Sequence, residues 1–264
     1  MGLNEQLKDT LPGPALCSLS DRFDVIGNVA VLCIPEELTG YRCIIADAVI
    51  SRRPTIRTVL NKISCLEGGN RTARFEILSG TDTVTTHREY GFTYRLDVRT
   101  VFYNPRLASE RKRVTDKVSP GERVLVPFCG VGPYVIPAAA RGATVTAVEL
   151  NPEACRWLEE NVLENGVEDR VTRFCGDAFD TSLLPPGTFD RAIIPTPYGM
   201  DAIFDVITPW VKPGGMIHFY TFCNPEQSGT LGKEFVSRGF ELVVKRKCGN
   251  IAPGISRWVY DLVT

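Results

Sequence analysis

Apolar and polar positions change their period once along the chain. From about residue 21 to 104 the runs are short and bounded by turn signals: "FDVIGNVAVLCIP", "CIIADAVIS", "TARFEILSG" and "TVTTHREYGFTYRLDVRTVFYN". Alternation is clearest in "FTYRLDVRTVFYN", which puts Phe92, Tyr94, Leu96, Val98 and Thr100 on one face and Arg95, Asp97 and Arg99 on the other. One helix is predicted among these strands, around "EELTGYRCIIADAVISR". Residues 1–104 therefore read as a small α+β domain on the substrate side. "PRLASERKRVTDKVSPG", within 105–120, reads as a junction helix ended by Pro120-Gly121.

From residue 121 to 264 apolar strands alternate with amphipathic helices: "RVLVPF", "PYVIPAAARG", "TVTAVEL", "PEACRWLEENVLENG", "VTRFCGD", "FDRAIIP", "MDAIFDVITPWV", "GGMIHFYTF", and a final strand pair "FELVVKRKC" and "SRWVYDLVT". Such alternation predicts an α/β, doubly wound, Rossmann-like sheet, whose ligands bind beyond the carboxyl ends of its strands.

Composition narrows the function. The chain is 44% hydrophobic and 23% charged, as in ordinary globular proteins. A formal charge of -1 means that a nucleic-acid partner must be met by a local basic surface. Arg95, Arg99, Arg106, Arg111, Lys112 and Arg113 form one such cluster, and Lys245, Arg246 and Lys247 another. No apolar run approaches the ~18 residues of a membrane span, and "MGLNEQLKDTLPG" has no signal core, so a cytoplasmic location is expected. Gln6 stands where a myristoylation signal needs Ser or Thr. Nine scattered cysteines without a Cys-x-x-Cys pair predict reduced, buried thiols, and two distant histidines, His87 and His218, argue against a metal site. His218, inside an apolar run, is expected to be a core or cleft histidine held by hydrogen bonds.

The candidate chemistry sits at the ends of three successive predicted strands. "FCGVGPY" places Gly130 and Gly132 between a strand and a helix, but Val135 holds the third position of a dinucleotide fingerprint and Pro133 removes an amide. Glu149 follows about twenty residues on, where a carboxylate can accept from ribose hydroxyls. Asp177 and Ala178 end the third strand, where an adenine amino group could be received. A turn, a ribose acid and an adenine acid form the constellation of S-adenosylmethionine enzymes. "NPRLASERKR" crowds Arg106, Glu110, Arg111, Lys112 and Arg113 beside it, either as a solvated helix with i,i+3 and i,i+4 pairs or as an acid and guanidinium for proton transfer.

These stretches resemble the archaeal and eukaryotic tRNA guanine-37 N1-methyltransferases, on "LCSLSDRFDVIGNVAVLCIPEEL", "HREYGFTYRLDVRTVFYNPRLASERKR", "FCGVGPYVIPAA", "ELNPEAC" and "IAPGISRWVYDL". The resemblance implies a class I S-adenosyl-L-methionine-dependent methyltransferase acting on a tRNA anticodon stem-loop, expected as a monomer. The family's separate N-terminal tRNA-gripping domain is expected to be absent. By resemblance Glu110 is the general base and Arg71 the catalytic arginine, with Arg74 its competitor. Phe102, Phe128, Gly130, Gly132, Glu149, Asp177, Ala178 and Pro197 are the implied cofactor residues, and Arg106, Arg111, Pro195, Thr196 and Tyr198 the implied substrate residues.

Two positions depart from the family pattern. Val126 stands where a strand-end acid is usual, and Pro195-Thr196-Pro197 replaces Asn-Leu-Pro, removing a side chain that helps to place the guanine. Competing readings are a paralogue with a changed substrate, including aminocarboxypropyl transfer to a wyosine precursor, and a non-catalytic RNA- or cofactor-binding protein. "PRLASER" looks more like the methyltransferases than the aminocarboxypropyl enzymes. A nicotinamide dehydrogenase has the wrong glycine spacing.

Overall fold

The computed structural model describes residues 2–64 and 72–264, which divide into two units, Met1–Arg106 and Leu107–Thr264. The first unit opens with two short helices, α1 (Leu3–Gln6) and α2 (Gly13–Ser18), followed by strands β1 (Asp24–Ile26) and β2 (Val29–Leu32). The turn between these strands uses Gly27 at φ 56, where an added Cβ would meet the Thr85 hydroxyl at 2.1 Å. Helix α3 (Arg42–Arg52) comes next, so "CIIADAVIS" is helical.

Strand β3 (Thr58–Lys62) runs parallel to β2, and β4 (Phe75–Ser79) runs antiparallel to β3, giving the order β1-β2-β3-β4. Leu3, Leu38, Ile45, Val49 and Val59 fill the core of this unit. A separate hairpin joins β5 (Val84–Glu89) to β6 (Phe92–Asp97) through Tyr90 and Gly91, both at positive φ, the backbone a tight hairpin turn requires. Tyr94, Leu96 and Val98 are buried while Arg95 and Arg99 are exposed, as the alternation predicts. His87 is structural: its Nδ1 accepts from the Gly27 amide at 3.2 Å.

The second unit contains α4 (Ala108–Thr115), β7 (Arg123–Pro127), α5 (Val135–Ala140), β8 (Thr144–Glu149), α6 (Pro152–Glu164), β9 (Val171–Cys175) and β10 (Phe189–Ile194). It continues through α7 (Ile203–Ile207), β11 (Val211–Cys223), α8 (Pro225–Ser237), β12 (Glu241–Ala252) and β13 (Ile255–Val263). The strand order is β12-β13-β11-β10-β7-β8-β9, with β11, β10, β7, β8 and β9 parallel and the last two strands antiparallel. This is an α/β doubly wound sheet. After β9 the chain crosses back to lie beside β7, so the carboxyl ends of β7 and β10 form the switch point at which such sheets bind ligands.

Three expectations are corrected. The junction helix is one 3₁₀ turn (Pro105–Leu107) followed by α4 alone, ending at Thr115; Pro120 disfavours helical backbone at Ser119, and the Thr115 hydroxyl bonds back to the Arg111 carbonyl. Helix α8 and strand β3 are absent from the sequence reading. Asn224 and Gln227 form a capping box that announces α8, but Gly229 and Gly232 mask its apolar period. Finally, Cys17, Cys33, Cys43 and Cys175 are exposed and only Cys129 and Cys223 buried, all as free thiols, while Cys65 lies outside the described residues. An apolar neighbourhood in sequence does not fix which face a residue takes. Among the described residues no helix is long and apolar enough to cross a membrane, and no His, Cys, Asp or Glu group has metal-binding geometry.

Candidate active site

At the carboxyl end of β7 the chain enters the left-handed region at Phe128 (φ 53), unusual for a bulky side chain, then again at Gly130 (φ 56) and Gly132 (φ 96). The turn is fastened by Glu149 at the end of β8. One Glu149 oxygen accepts from the Gly130 amide at 2.7 Å and the other from the Asn151 amide at 2.9 Å. A carboxylate has about four lone-pair sites, so these bonds orient it without saturating it. Asp177 follows β9, exposed, with Oδ1 accepting from the Phe179 amide at 3.0 Å, next to buried Ala178. The Phe128 and Phe179 rings meet edge-on at 6.4 Å.

The two glycines serve different ends. A Cβ at Gly130 would meet nothing within 4 Å, whereas one at Gly132 would come within 2.7 Å of Leu158 on α6. Gly130 thus lines open space for a ligand, and Gly132 allows close helix packing. Gly132→Ala is expected to destabilise the protein by about 2–4 kcal/mol through overpacking and left-handed backbone. Gly130→Ala should cost about 1 kcal/mol of stability and mainly weaken nucleoside binding. Equal melting temperatures for the two variants would sink this division of roles.

Beyond β10, Pro195 is half-buried and Pro197 buried, while Tyr198 is 64% exposed with its ring 5.6 Å from that of Phe222. Thr196 is 1% exposed and its hydroxyl donates to the Ile194 carbonyl at 3.2 Å. Thr196, implied by resemblance to be a substrate residue, is instead turned inward by the loop, where its hydroxyl needs a backbone partner.

The charged helix α4 is not solvated on its inner face. Glu110 and Arg111 are each 3% exposed, so Arg111 is not the surface basic group expected of it. The Glu110 carboxylate accepts from Arg113 Nη2 at 2.7 Å and Nε at 3.0 Å, and from the Tyr220 hydroxyl at 2.9 Å; Arg246 stands 3.7 Å away. Arg113 also donates to Asp261, at 2.6 and 3.1 Å, as does Lys117 at 2.7 Å. Burial works against the Arg113 charge, but these two carboxylates more than offset it and hold its pKa above the usual value.

Asp261 on β13 pairs in register with His218 on β11 and meets His218 Nδ1 at 2.7 Å. Arg191 Nη1 reaches His218 Nε2 at 2.8 Å, and Glu122 accepts from Arg191 Nε at 2.7 Å. A guanidinium can only donate, so Nε2 is the acceptor and the histidine proton sits on Nδ1, directed at Asp261. Burial lowers the His218 pKa further, and His218 is neutral. Burial alone would raise the Asp261 pKa, but hydrogen bonds from His218, Arg113 and Lys117 bring it well below the usual carboxylate range.

Tyr220 and Asp261 are functional candidates that sequence reasoning missed, whereas Arg113 lay within the charged cluster it singled out. The signal was available: a histidine inside "GGMIHFYTF" and an aspartate inside "SRWVYDLVT" interrupt apolar strands, where an ionisable side chain needs a partner. In the first unit Phe102 is 42% exposed, and Arg106 is exposed and pairs with Asp24 at 2.5 Å. Arg71 lies outside the described residues.

Comparison with known proteins fits this geometry. Residues 85–247 match the TRM5/TYW2 methyltransferase domain, and residues 3–83 match the TYW2 N-terminal domain. The chain belongs to the TRM5/TYW2 methyltransferase family. Within that family it is 37% identical over 205 residues to the tRNA (guanine(37)-N(1))-methyltransferase Trm5b of Pyrococcus abyssi, covering 77% of this chain and 61% of that one. The crystal structure of that Trm5b superposes with a TM-score of 0.87 at 32% identity, over 96% of this chain and 78% of the other. P. horikoshii TYW2, solved in complex with MeSAdo, is 30% identical with a TM-score of 0.78, over 99% and 97% of the two chains. The chain thus spans less than two thirds of the length of the curated Trm5b.

The TRM5/TYW2 glycine turn suits an S-adenosyl nucleoside on this chain's own evidence. Gly130 leaves open space at a turn whose backbone is fixed by Glu149, and two acids end successive strands beside an aromatic edge.

Proposed function

We propose that this member of the TRM5/TYW2 family is an S-adenosyl-L-methionine-dependent tRNA methyltransferase that modifies N1 of guanine 37. The observation that carries the reading is Glu110, a buried carboxylate oriented by Arg113 and Tyr220 in the unit that holds the nucleoside turn. Relatives named as tRNA (guanine(37)-N(1))-methyltransferases support the substrate.

N1 of guanine carries a proton that must leave before N1 can accept a methyl group. Glu110 accepts that proton, while Arg113 and Tyr220 fix the carboxylate's direction. Gly130, Phe128, Glu149, Asp177, Ala178 and Pro197 would hold the cofactor, which supplies the electrophilic methyl group when bound, while Gly132 lets the turn pack against α6. By resemblance Arg71 counters the charge developing on O6, and Arg106 serves the RNA. Tyr198, exposed beside Phe222, offers a stacking face to a base turned out of the loop.

A second reading is aminocarboxypropyl transfer, favoured by the TYW2 N-terminal match over residues 3–83 and the near-equal length of the P. horikoshii TYW2 chain. Cofactor labelled separately in the methyl and aminocarboxypropyl groups, incubated with tRNA transcripts carrying G or A at position 37, decides between them. Methyl label confined to G37 transcripts is the expected result. Label from the aminocarboxypropyl group on tRNA bearing a wyosine precursor, with none from methyl on G37, would establish the second reading instead.

A further inference from the structure

Arg257 on β13 is 7% exposed, its Nε has no hydrogen-bonding partner, and no carboxylate among the described residues pairs with it. Its guanidinium lies over the rings of Tyr220, at 4.9 Å, and Phe222, at 5.4 Å. Arg257 and Phe222 are register partners, so both share the sheet face on which Tyr220 reaches Glu110. Tyr134, which follows the glycine turn, is 3% exposed with its ring 5.9 Å from that of Tyr220. The Tyr134 hydroxyl also makes no hydrogen bond of normal geometry. Burial pushes its phenol pKa up, and the Arg257 charge is the first influence opposing that rise.

A guanidinium whose buried Nε has no acceptor, beside a buried phenol hydroxyl without one, is costly to the fold, and cation–π contact offsets only part of the cost. Two other cations packed on this sheet face have carboxylates among the described residues: Arg113 has Glu110 and Asp261, and Arg191 has Glu122. What the Arg257 Nε lacks among the described residues is an acceptor oxygen, and Pro195, just after β10, has no side-chain group to read a base.

We propose that Arg257, assisted by the Tyr134 hydroxyl, is a substrate-binding residue that donates to an acceptor oxygen of the target nucleotide. This rests on the reading of Glu110 as the base for N1. The oxygen is either the base carbonyl adjoining N1 or a phosphate flanking the nucleotide. With the carbonyl, an N1–H donor read by Glu110 and an acceptor read by Arg257 select guanine over adenine, whose Watson–Crick edge has the opposite polarity.

Arg257→Met and Tyr134→Phe in the full chain test the assignment, using an anticodon stem-loop RNA with G37, calorimetric cofactor binding and thermal melting. Arg257→Met should lower kcat/KM by about 100-fold, the scale of a site left without its charged donor, and Tyr134→Phe by about tenfold. Cofactor affinity should hold within about twofold, and the melting temperature should stay level or rise, because an unpaired buried charge is being removed. A packing role would instead lower the melting temperature.

If the Arg257→Met penalty disappears on RNA with a methylphosphonate flanking position 37, the acceptor is the phosphate. If it disappears with 6-thioguanosine at 37, the acceptor is the base carbonyl. Parent-like kcat/KM in Arg257→Met, or cofactor binding weakened tenfold or more, would overturn the assignment, the latter by giving Arg257 to the cofactor carboxylate. If the parent protein itself transfers nothing to any RNA, the proposed function fails and the inference with it.

Discussion

Glu110→Gln is expected to slow methyl transfer by about 100- to 10,000-fold, the usual contribution of a positioned general base. Glutamine keeps the shape and one acceptor oxygen, so Arg113 and Tyr220 retain a partner, but the amide cannot take the N1 proton. Arg113 keeps its two bonds to Asp261, at 2.6 and 3.1 Å, so its charge is not stranded and the fold should persist. Because Glu110 is on α4 and the glycine turn proposed to hold the nucleoside follows β7, cofactor affinity should be unchanged. Single-turnover transfer to G37 transcripts and calorimetry on the same preparation check both halves. Equal rates in variant and parent would exclude Glu110 as the base.

The largest stability effect is expected at Asp261. Its side chain is fully buried and receives Arg113, Lys117 and His218, so it neutralises two cations and fixes the histidine tautomer. Asp261→Asn should destabilise the protein by about 3–5 kcal/mol, the cost of breaking a buried ionic network by removing one partner.

The same network predicts acid lability. The folded-state pKa values of His218 and Asp261 are both depressed, so in each case the unfolded chain binds a proton that the folded chain does not. Stability from His218 is complete above about pH 6.5 and is lost as the pH falls below it. The Asp261 contribution is present above about pH 4 and is lost on further acidification. Urea midpoints measured from pH 8 to pH 4 should therefore decline, beginning below about pH 6.5. A flat profile over that range would contradict the buried neutral histidine.

How far the sequence reaches can be judged from particular elements. The strand–glycine–helix run from Val124, with Glu149 and Asp177 at later strand ends, is local information, because each acid's place depends on the few residues that end its own strand. Helix α8 was hidden by Gly229 and Gly232, and at Gly232 the helix lies so near β12 and β13 that an added Cβ would meet Leu242 at 3.5 Å and Tyr260 at 3.7 Å.

By itself, then, the sequence determined the doubly wound class, the glycine turn and the acids at the following strand ends, since period and spacing are written in consecutive residues, while Glu110 became the candidate base by resemblance. Tertiary structure alone decided that Glu110 is buried, that Tyr220, over a hundred positions away, is its partner, and that Arg113, its i,i+3 neighbour, is shared with distant Asp261. It also decided that Arg257 buries an Nε with no acceptor among the described residues. Such pairings arise where β11 and β13 lie side by side under α4, and desolvation, which sets the value of every charge there, depends on what surrounds a side chain rather than on what precedes it.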